Sequence, residues 1–288
     1  MNQQQKIKIV EDLEMLILQK GSANKVSAEM KSVSPATISQ MRNHNWENIA
    51  DDMWRKVASY LGTNDKEWVY CSETRNAAEL RRIYDEAQRF REVYGIVGPS
   101  GHGKTASAKV YEENNRNVIN IFCTNYMDER SFLSEVLAKM GKDSAGMTVT
   151  KLMAKIVLEV KSKENILFVF NEFDKLNDKV IYLFISLFNE LEDDCGMVIS
   201  ATHFLERKIA KGVVLDKMGY REVLSRVGGK FFELEPNNYG DTLKICSANG
   251  VTNEEVIRTI YRDSKGDGRR IKRLVNSHKR ANNERITV

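Results

Sequence analysis

Apolar positions along the chain change their period twice. Over residues 1–61 they recur at helical spacing, first at Ile9, Leu13, Leu16 and Ile17 and later at Met53, Val57 and Leu61. Between these stripes lie residues 23–30, a short break at 31–34, and residues 35–43. Ser34 is placed to cap a helix with its hydroxyl, and Pro35 suits a first helical position that needs no backbone N–H. Two short helices joined by a tight turn predict a helix-turn-helix domain over 1–61. Residues 62–92 open with the turn-rich linker Gly62-Thr63-Asn64-Asp65 and continue as a polar helix with Leu80, Ile83, Tyr84 and Ala87 on one side. From 93 to 235 the pattern switches to short apolar runs of strand length at 94–97, 118–122, 166–170, 197–201 and 231–234. Helical stretches separate them, the clearest stripe being Val149, Leu152, Met153, Ile156, Val157 and Val160. Strands alternating with helices predict an α/β fold, a five-stranded parallel sheet between helices. After Pro236 the strand signals stop, and 236–288 reads as a small helical lid ending in a basic helix.

Composition narrows this picture little. Of the 288 residues, 42% are hydrophobic and 29% charged, as expected of a soluble globular protein with a sizeable core. No stretch approaches the roughly 18 apolar residues that span a bilayer, and the polar N-terminus does not read as a signal peptide. The expectation is a cytoplasmic protein with no membrane partner. The four cysteines are scattered without metal-ligand spacing, which points to reduced thiols. Charge is uneven: residues 258–288 hold ten Lys/Arg against three Asp/Glu, whereas residues 1–61 hold eight against seven. The basic end suits a polyanion, although a solvated helix face explains it equally well.

The most specific chemistry lies at Gly98-Pro99-Ser100-Gly101-His102-Gly103-Lys104-Thr105, which matches G-x-x-x-x-G-K-[ST] in full between a strand and a helix. Glycines let backbone N–H groups curl around phosphates at the positive end of the helix that follows. Lys104 then reaches the β and γ phosphates, and Thr105 offers a hydroxyl to Mg²⁺. The cofactors expected are therefore ATP and Mg²⁺. Further along, the strand run 166–170 leads directly into Asn171-Glu172-Phe173-Asp174. A carboxylate at such a strand end can orient the attacking water, a role that falls to Glu172. Asn171 or Asp174 would serve the metal shell; asparagine there adds no negative charge, which predicts slow hydrolysis.

Three positions fit the same scheme. Thr202, with Ser200 as competitor, follows the fourth strand and would sense the γ-phosphate. Arg226 precedes the fifth strand and would act as an arginine finger on a neighbouring subunit's ATP. Arg269, in Gly266-Asp267-Gly268-Arg269-Arg270, opens a lid helix and would fold back onto the nucleotide. Each arginine alone is more often a surface ion-pair partner.

The order of these features resembles an AAA+ ATPase. The 74–108 segment and Gly-Asp-Gly-Arg-Arg-Ile are similar, within that superfamily, to the transposition ATPases of the phage Mu B family, relatives of which include transposon regulators and secretion ATPases. A helix-turn-helix ahead of the ATPase core adds to the likeness. The resemblance implies an ATP-bound homo-oligomer, a ring or helical filament, that coats double-stranded DNA with little sequence preference, presents it to a transposase and releases it on hydrolysis. In the N-terminal domain Ile38 and Met41 would face the core, leaving Ala36, Thr37, Gln40 and Asn43 to project toward DNA, or toward a protein. A second DNA contact is expected around Asn125, Tyr126 and Arg130. A helicase loader and an ATP-switched helix-turn-helix transcriptional regulator are the alternatives.

Overall fold

The computed structural model describes residues 3–30, 33–61 and 68–286. The linker stretch Gly62-Thr63-Asn64-Asp65 lies outside the described residues. The chain divides into two compact units, Met1–Val69 with Asn276–Val288, and Tyr70–Val275.

Among the described residues, the first unit holds the helices α1 (Gln3–Lys20), α2 (Ala23–Met30), α3 (Pro35–Arg42) and α4 (Asp51–Tyr60) and the end of the last helix of the chain. The apolar faces of α1 to α4 meet in one cluster that includes Leu13, Val26, Ile38, Met41, Trp54 and Val57, all fully buried. The α2–α3 turn is fixed by side chains competing for backbone groups. The Ser34 hydroxyl accepts the Thr37 N–H at 3.1 Å, capping α3 one residue before Pro35. The Ser27 hydroxyl donates to the Val33 carbonyl at 2.7 Å and ties α2 to the turn.

The second unit is built on a parallel sheet. Helix α5 (Arg75–Phe90), capped by Thr74, leads into β1 (Val93–Val97). Then follow α6 (Lys104–Asn114), β2 (Val118–Phe122), α7 (Glu129–Lys139), α8 (Val149–Lys161) and β3 (Ile166–Asn171). Next come α9 (Asp178–Leu191), β4 (Cys195–Ala201), α10 (Phe204–Val214), α11 (Tyr220–Arg226) and the two-residue β5 (Phe232–Glu233). The five strands lie in the order β2-β3-β4-β1-β5, all pairs parallel. Strand β3 is buried at every position, as a strand covered on both faces must be. Alternate side chains serve opposite cores. Phe168, Phe170, Met197 and Ile199 join the α7, α8 and α9 side. Leu167, Val169, Val198 and Ile96 pack with Leu80, Ile83, Tyr84 and Ala87 of α5.

Three helices complete the unit: α12 (Tyr239–Ala248), α13 (Glu254–Ser264) and the start of α14 (Gly268–Ile286). Helix α12 is tied to the entry of α5. The Asp241 carboxylate accepts from the Arg75 backbone N–H at 2.9 Å and from its Nε at 3.0 Å. Burial opposes charge on this carboxylate, yet the Arg75 bonds hold it below its ordinary value.

Helix α5 lies directly on the sheet at one point. A Cβ on Gly196 of β4 would stand 2.0 Å from the Ala87 carbonyl oxygen, so only glycine fits there. Gly196→Ala is expected to cost about 1–3 kcal/mol of stability by forcing the helix off the sheet. Gly240→Ala in the first turn of α12, where an added Cβ meets only Asn238 Oδ1 at 3.4 Å, leaves the urea midpoint unchanged or slightly raised.

Candidate nucleotide site

Parallel pairing sets every strand's carboxyl end at one edge of the sheet. Val97 is opposite Ala201 and Glu233, and Asn171 is opposite Ser200 and Phe122. The segments leaving these ends therefore converge: Gly98–Thr105 after β1, Glu172–Asp174 after β3 and Thr202 after β4.

The loop after β1 curls through two glycines in the left-handed region, Gly101 at φ +88° and Gly103 at φ +90°. Gly103 caps α6 and has no side chain to satisfy its first N–H groups, which remain for an anion. The Lys104 ammonium folds onto the loop itself, donating to the Gly98 carbonyl at 2.6 Å and the Pro99 carbonyl at 3.0 Å. Burial pushes its pKa down to about 8, partly opposed by the carboxylates of Asp174 and Glu172 and reinforced by Arg269. His102 is buried within the loop; its Nδ1 meets the Ser100 carbonyl, and its Nε2 has no partner among the described residues. A half-desolvated cation beside uncapped helix N–H groups fits a polyphosphate. Thr105 is exposed on the first turn of α6.

Opposite the loop, Glu172 is in the left-handed conformation at φ +56°, a strained setting for a residue with a Cβ. Its carboxylate pairs with Lys175 within the 3-10 turn Phe173–Lys175. Asp174 Oδ2 accepts the Thr202 hydroxyl at 3.1 Å, which brings the two into one group with Lys104. Lys208 of α10 donates to the Asp174 carbonyl at 2.8 Å and also to the Leu176 carbonyl, stitching the turn down from below. Behind it Cys123, a free thiol at the end of β2, is held well above its ordinary pKa by burial and then by the charges of Asp174 and Glu172. It is an inert thiol.

Asn171 is fully buried and its amide is committed within the sheet: Nδ2 donates to Asn120 Oδ1 at 2.5 Å, and Oδ1 accepts the Ser200 hydroxyl at 3.3 Å. Ser200 thus faces inward, while Thr202 faces the site. Arg226 is not part of this group. It pairs with Glu192, donates to Asn189 Oδ1 at 3.2 Å and stacks over the Phe188 ring at 4.6 Å. Among the described residues no group of His, Cys, Asp and Glu has the arrangement of a resident metal site.

The loop's apex has a partner that the motif alone does not reveal. The Gly268 N–H at the start of α14 donates to the Gly101 carbonyl at 3.0 Å. A Cβ on Gly101 would meet Asp267 Oδ1 at 2.2 Å, and one on Gly268 would meet the Gly101 carbonyl at 2.6 Å. Asp267 in turn caps α14 by accepting the Arg269 and Arg270 N–H groups at 2.8 and 3.2 Å. Arg269 is thereby held within charge range of Lys104.

Residues 88–209 match the family described as AAA domain. They form an AAA+ core. No curated protein matches the chain. Among solved structures, the chain is similar to Cdc6p from Pyrobaculum aerophilum, at 13% identity and a TM-score of 0.48, covering 65% of this chain and 52% of that one. It is also similar to Drosophila ORC bound to DNA, at 13% identity and a TM-score of 0.43, covering 73% of this chain and 56% of that one. The chain thus spans little more than half the length of these proteins. The matched residues carry β1 to β4 and the phosphate-type loop; the transposition family suggested by the softer sequence likeness has no counterpart in these matches.

The lowered Lys104 pKa carries a sign. Between about pH 8 and the ordinary 10.5 the folded chain binds fewer protons than the unfolded one. Stability therefore rises with pH across that window, and the charged amine opposes folding below it. A bound polyphosphate reverses this by favouring the ammonium. Calorimetric titration of ATP near pH 8.5, in buffers of differing ionisation enthalpy, is expected to show net proton uptake. Lys104→Arg, whose guanidinium stays charged, should show none.

Proposed function

We propose that this chain is an ATP-dependent, DNA-binding AAA+ ATPase that assembles on double-stranded DNA and delivers it to a transposase. The observation that carries the proposal is the convergence of Lys104, Asp174, Glu172, Thr202 and Arg269 beside an uncapped helix N-terminus at one sheet edge. In this reading, backbone N–H groups of Gly98–Thr105 cradle the phosphates, and Lys104 moves from the Gly98 and Pro99 carbonyls onto the β and γ oxygens. A bound Mg²⁺ would supply positive charge to those oxygens, and Thr105 with Asn171 or Asp174 are the residues that would hold it. Glu172 leaves Lys175 to orient the attacking water. Thr202 and Arg269 read the γ-phosphate, and Arg226 exchanges Glu192 for the nucleotide of a neighbouring subunit.

DNA would be held in two places. On α3, Ile38 and Met41 are fully buried, which leaves Ala36, Gln40 and, just past the helix, Asn43 exposed and Thr37 half-buried, bonded to Ser34. That exposure supports reading α3 as the groove-reading helix of a helix-turn-helix. In the second unit Tyr126 is 81% exposed between β2 and α7, with Asn125 and Arg130 exposed beside it. An exposed aromatic next to an arginine suits a nucleic-acid backbone and its bases. No helix among the described residues is long and apolar enough to cross a membrane.

Electron microscopy of the protein with duplex DNA tests this directly. Filaments or stacked rings are expected with ATP and not with ADP, and Glu172→Gln, which retains nucleotide without hydrolysis, should make them persistent. Lys104→Ala should abolish them. A single protected operator in footprinting would instead identify an ATP-switched regulator, and ATP-dependent binding to a replicative helicase a loader. Absence of any assembly with ATP and DNA would overturn the proposal.

A further inference from the structure

We infer that Asp174 is the carboxylate this site offers to the cation of a bound Mg-nucleotide, and that Asn171 is a neutral tie between strands with no part in holding metal. The inference rests on the nucleotide-site reading above and assigns the metal role within it.

The first observation is a directed chain of hydrogen bonds through the sheet. The Ser200 hydroxyl donates to Asn171 Oδ1 at 3.3 Å, Asn171 Nδ2 donates to Asn120 Oδ1 at 2.5 Å, and Asn120 Nδ2 donates to Glu112 Oε2 at 3.1 Å. The chain links β4, β3, β2 and α6 and ends on a carboxylate. Its middle member must both accept and donate, which an amide does and an ionised carboxylate cannot. An aspartate at 171 would leave Asn120 Oδ1 without its donor inside a fully buried sheet. The asparagine is therefore required by the network around it, and both ends of its amide are used.

The second observation is what remains. Of the two carboxylates that follow β3, Glu172 is occupied by Lys175. Asp174 is braced from two sides, by the Thr202 hydroxyl on Oδ2 and by Lys208 on its backbone carbonyl. Its Oδ1 has no protein donor among the described residues. It is also the leading attractive charge on Lys104, ahead of Glu172. A carboxylate held rigid at one oxygen and open at the other, within charge range of the phosphate-loop lysine, is what a hard cation already bound to phosphate oxygens requires.

The test is the Mg²⁺ dependence of nucleotide binding by the full chain, titrated with a fluorescent ATP analogue in excess Mg²⁺ and in EDTA. Asp174→Asn is expected to bind as tightly as the wild type in EDTA and to lose about 10-fold or more of the gain that Mg²⁺ gives. Thr202→Val, which removes the brace along with any contact of its own to nucleotide, is compared as the ratio of affinities with and without Mg²⁺ and should lose part of that gain; it decides the matter should Asp174→Asn fail to fold. Asn171→Ser should lower the melting temperature and keep the Mg²⁺ gain. Mn²⁺ bound with ATP, followed by electron paramagnetic resonance, should weaken in the Asp174 and Thr202 variants alone. Full Mg²⁺ gain in both Asp174→Asn and Thr202→Val, or its loss in a folded Asn171→Ser, would overturn the assignment while leaving the nucleotide site standing. A wild-type chain that binds no analogue in either condition would overturn both.

Discussion

The parallel pairing of β3, β4 and β1 is the constraint on which everything else in the second unit depends. Three neighbouring strands running the same way deliver their carboxyl ends to one edge, so segments about 70 and 30 residues apart in sequence meet without further design. The register sets Val97, Ala201 and Asn171 nearly level. A one-residue slip would turn every side chain to the opposite face and would aim Asp174 and Thr202 away from Lys104. Register is held by two apolar cores, one on each face, and by the Ser200–Asn171–Asn120–Glu112 chain that crosses from β4 through β3 and β2 to α6.

Much of this architecture was legible in the sequence because the strands carry so little polar content. The runs at 94–97, 118–122, 166–170 and 197–201 fall on β1 to β4 within a residue or two, and the fifth run shrinks to the pair Phe232–Glu233. The stripe Leu152, Ile156 and Val160 is the buried face of α8. Strand order was not legible, since a parallel sheet's crossovers leave no local signature. Nor was α7 singled out: its apolar residues, Phe132, Leu133, Val136 and Leu137, show their facing only once β2 and α8 are in place.

The site divides the same way. Local motifs announce themselves, and Lys104, Glu172, Asp174, Thr202 and Arg269 do gather at one edge. What the motif could not convey is which polar residue is spoken for. Asn171 occupies the position where a metal-facing acid is expected, but its amide is fixed by Asn120, a polar residue in the middle of the otherwise apolar run VINIF. That lone asparagine in a buried strand was the available signal. The docking of Gly268 against Gly101 depends on backbone approach, and glycine composition alone does not say which glycines touch. Arg226 faces Glu192 and Phe188 in its own chain; a role toward a second subunit is a property of an assembly.

The Gly101–Gly268 contact would give a bound nucleotide a route to the rest of the unit. The loop proposed to wrap phosphate is the loop on which the first turn of α14 rests, and Arg269 follows one residue later. Hydrogen exchange measured peptide by peptide, without nucleotide and with saturating Mg-ATP, reads out whether the loop and the α14 turn respond together. Slower exchange is expected both in 98–105 and in 266–270, with the loop and the α14 turn protected together. Unchanged exchange in 98–105 at saturating Mg-ATP would contradict the account at its root.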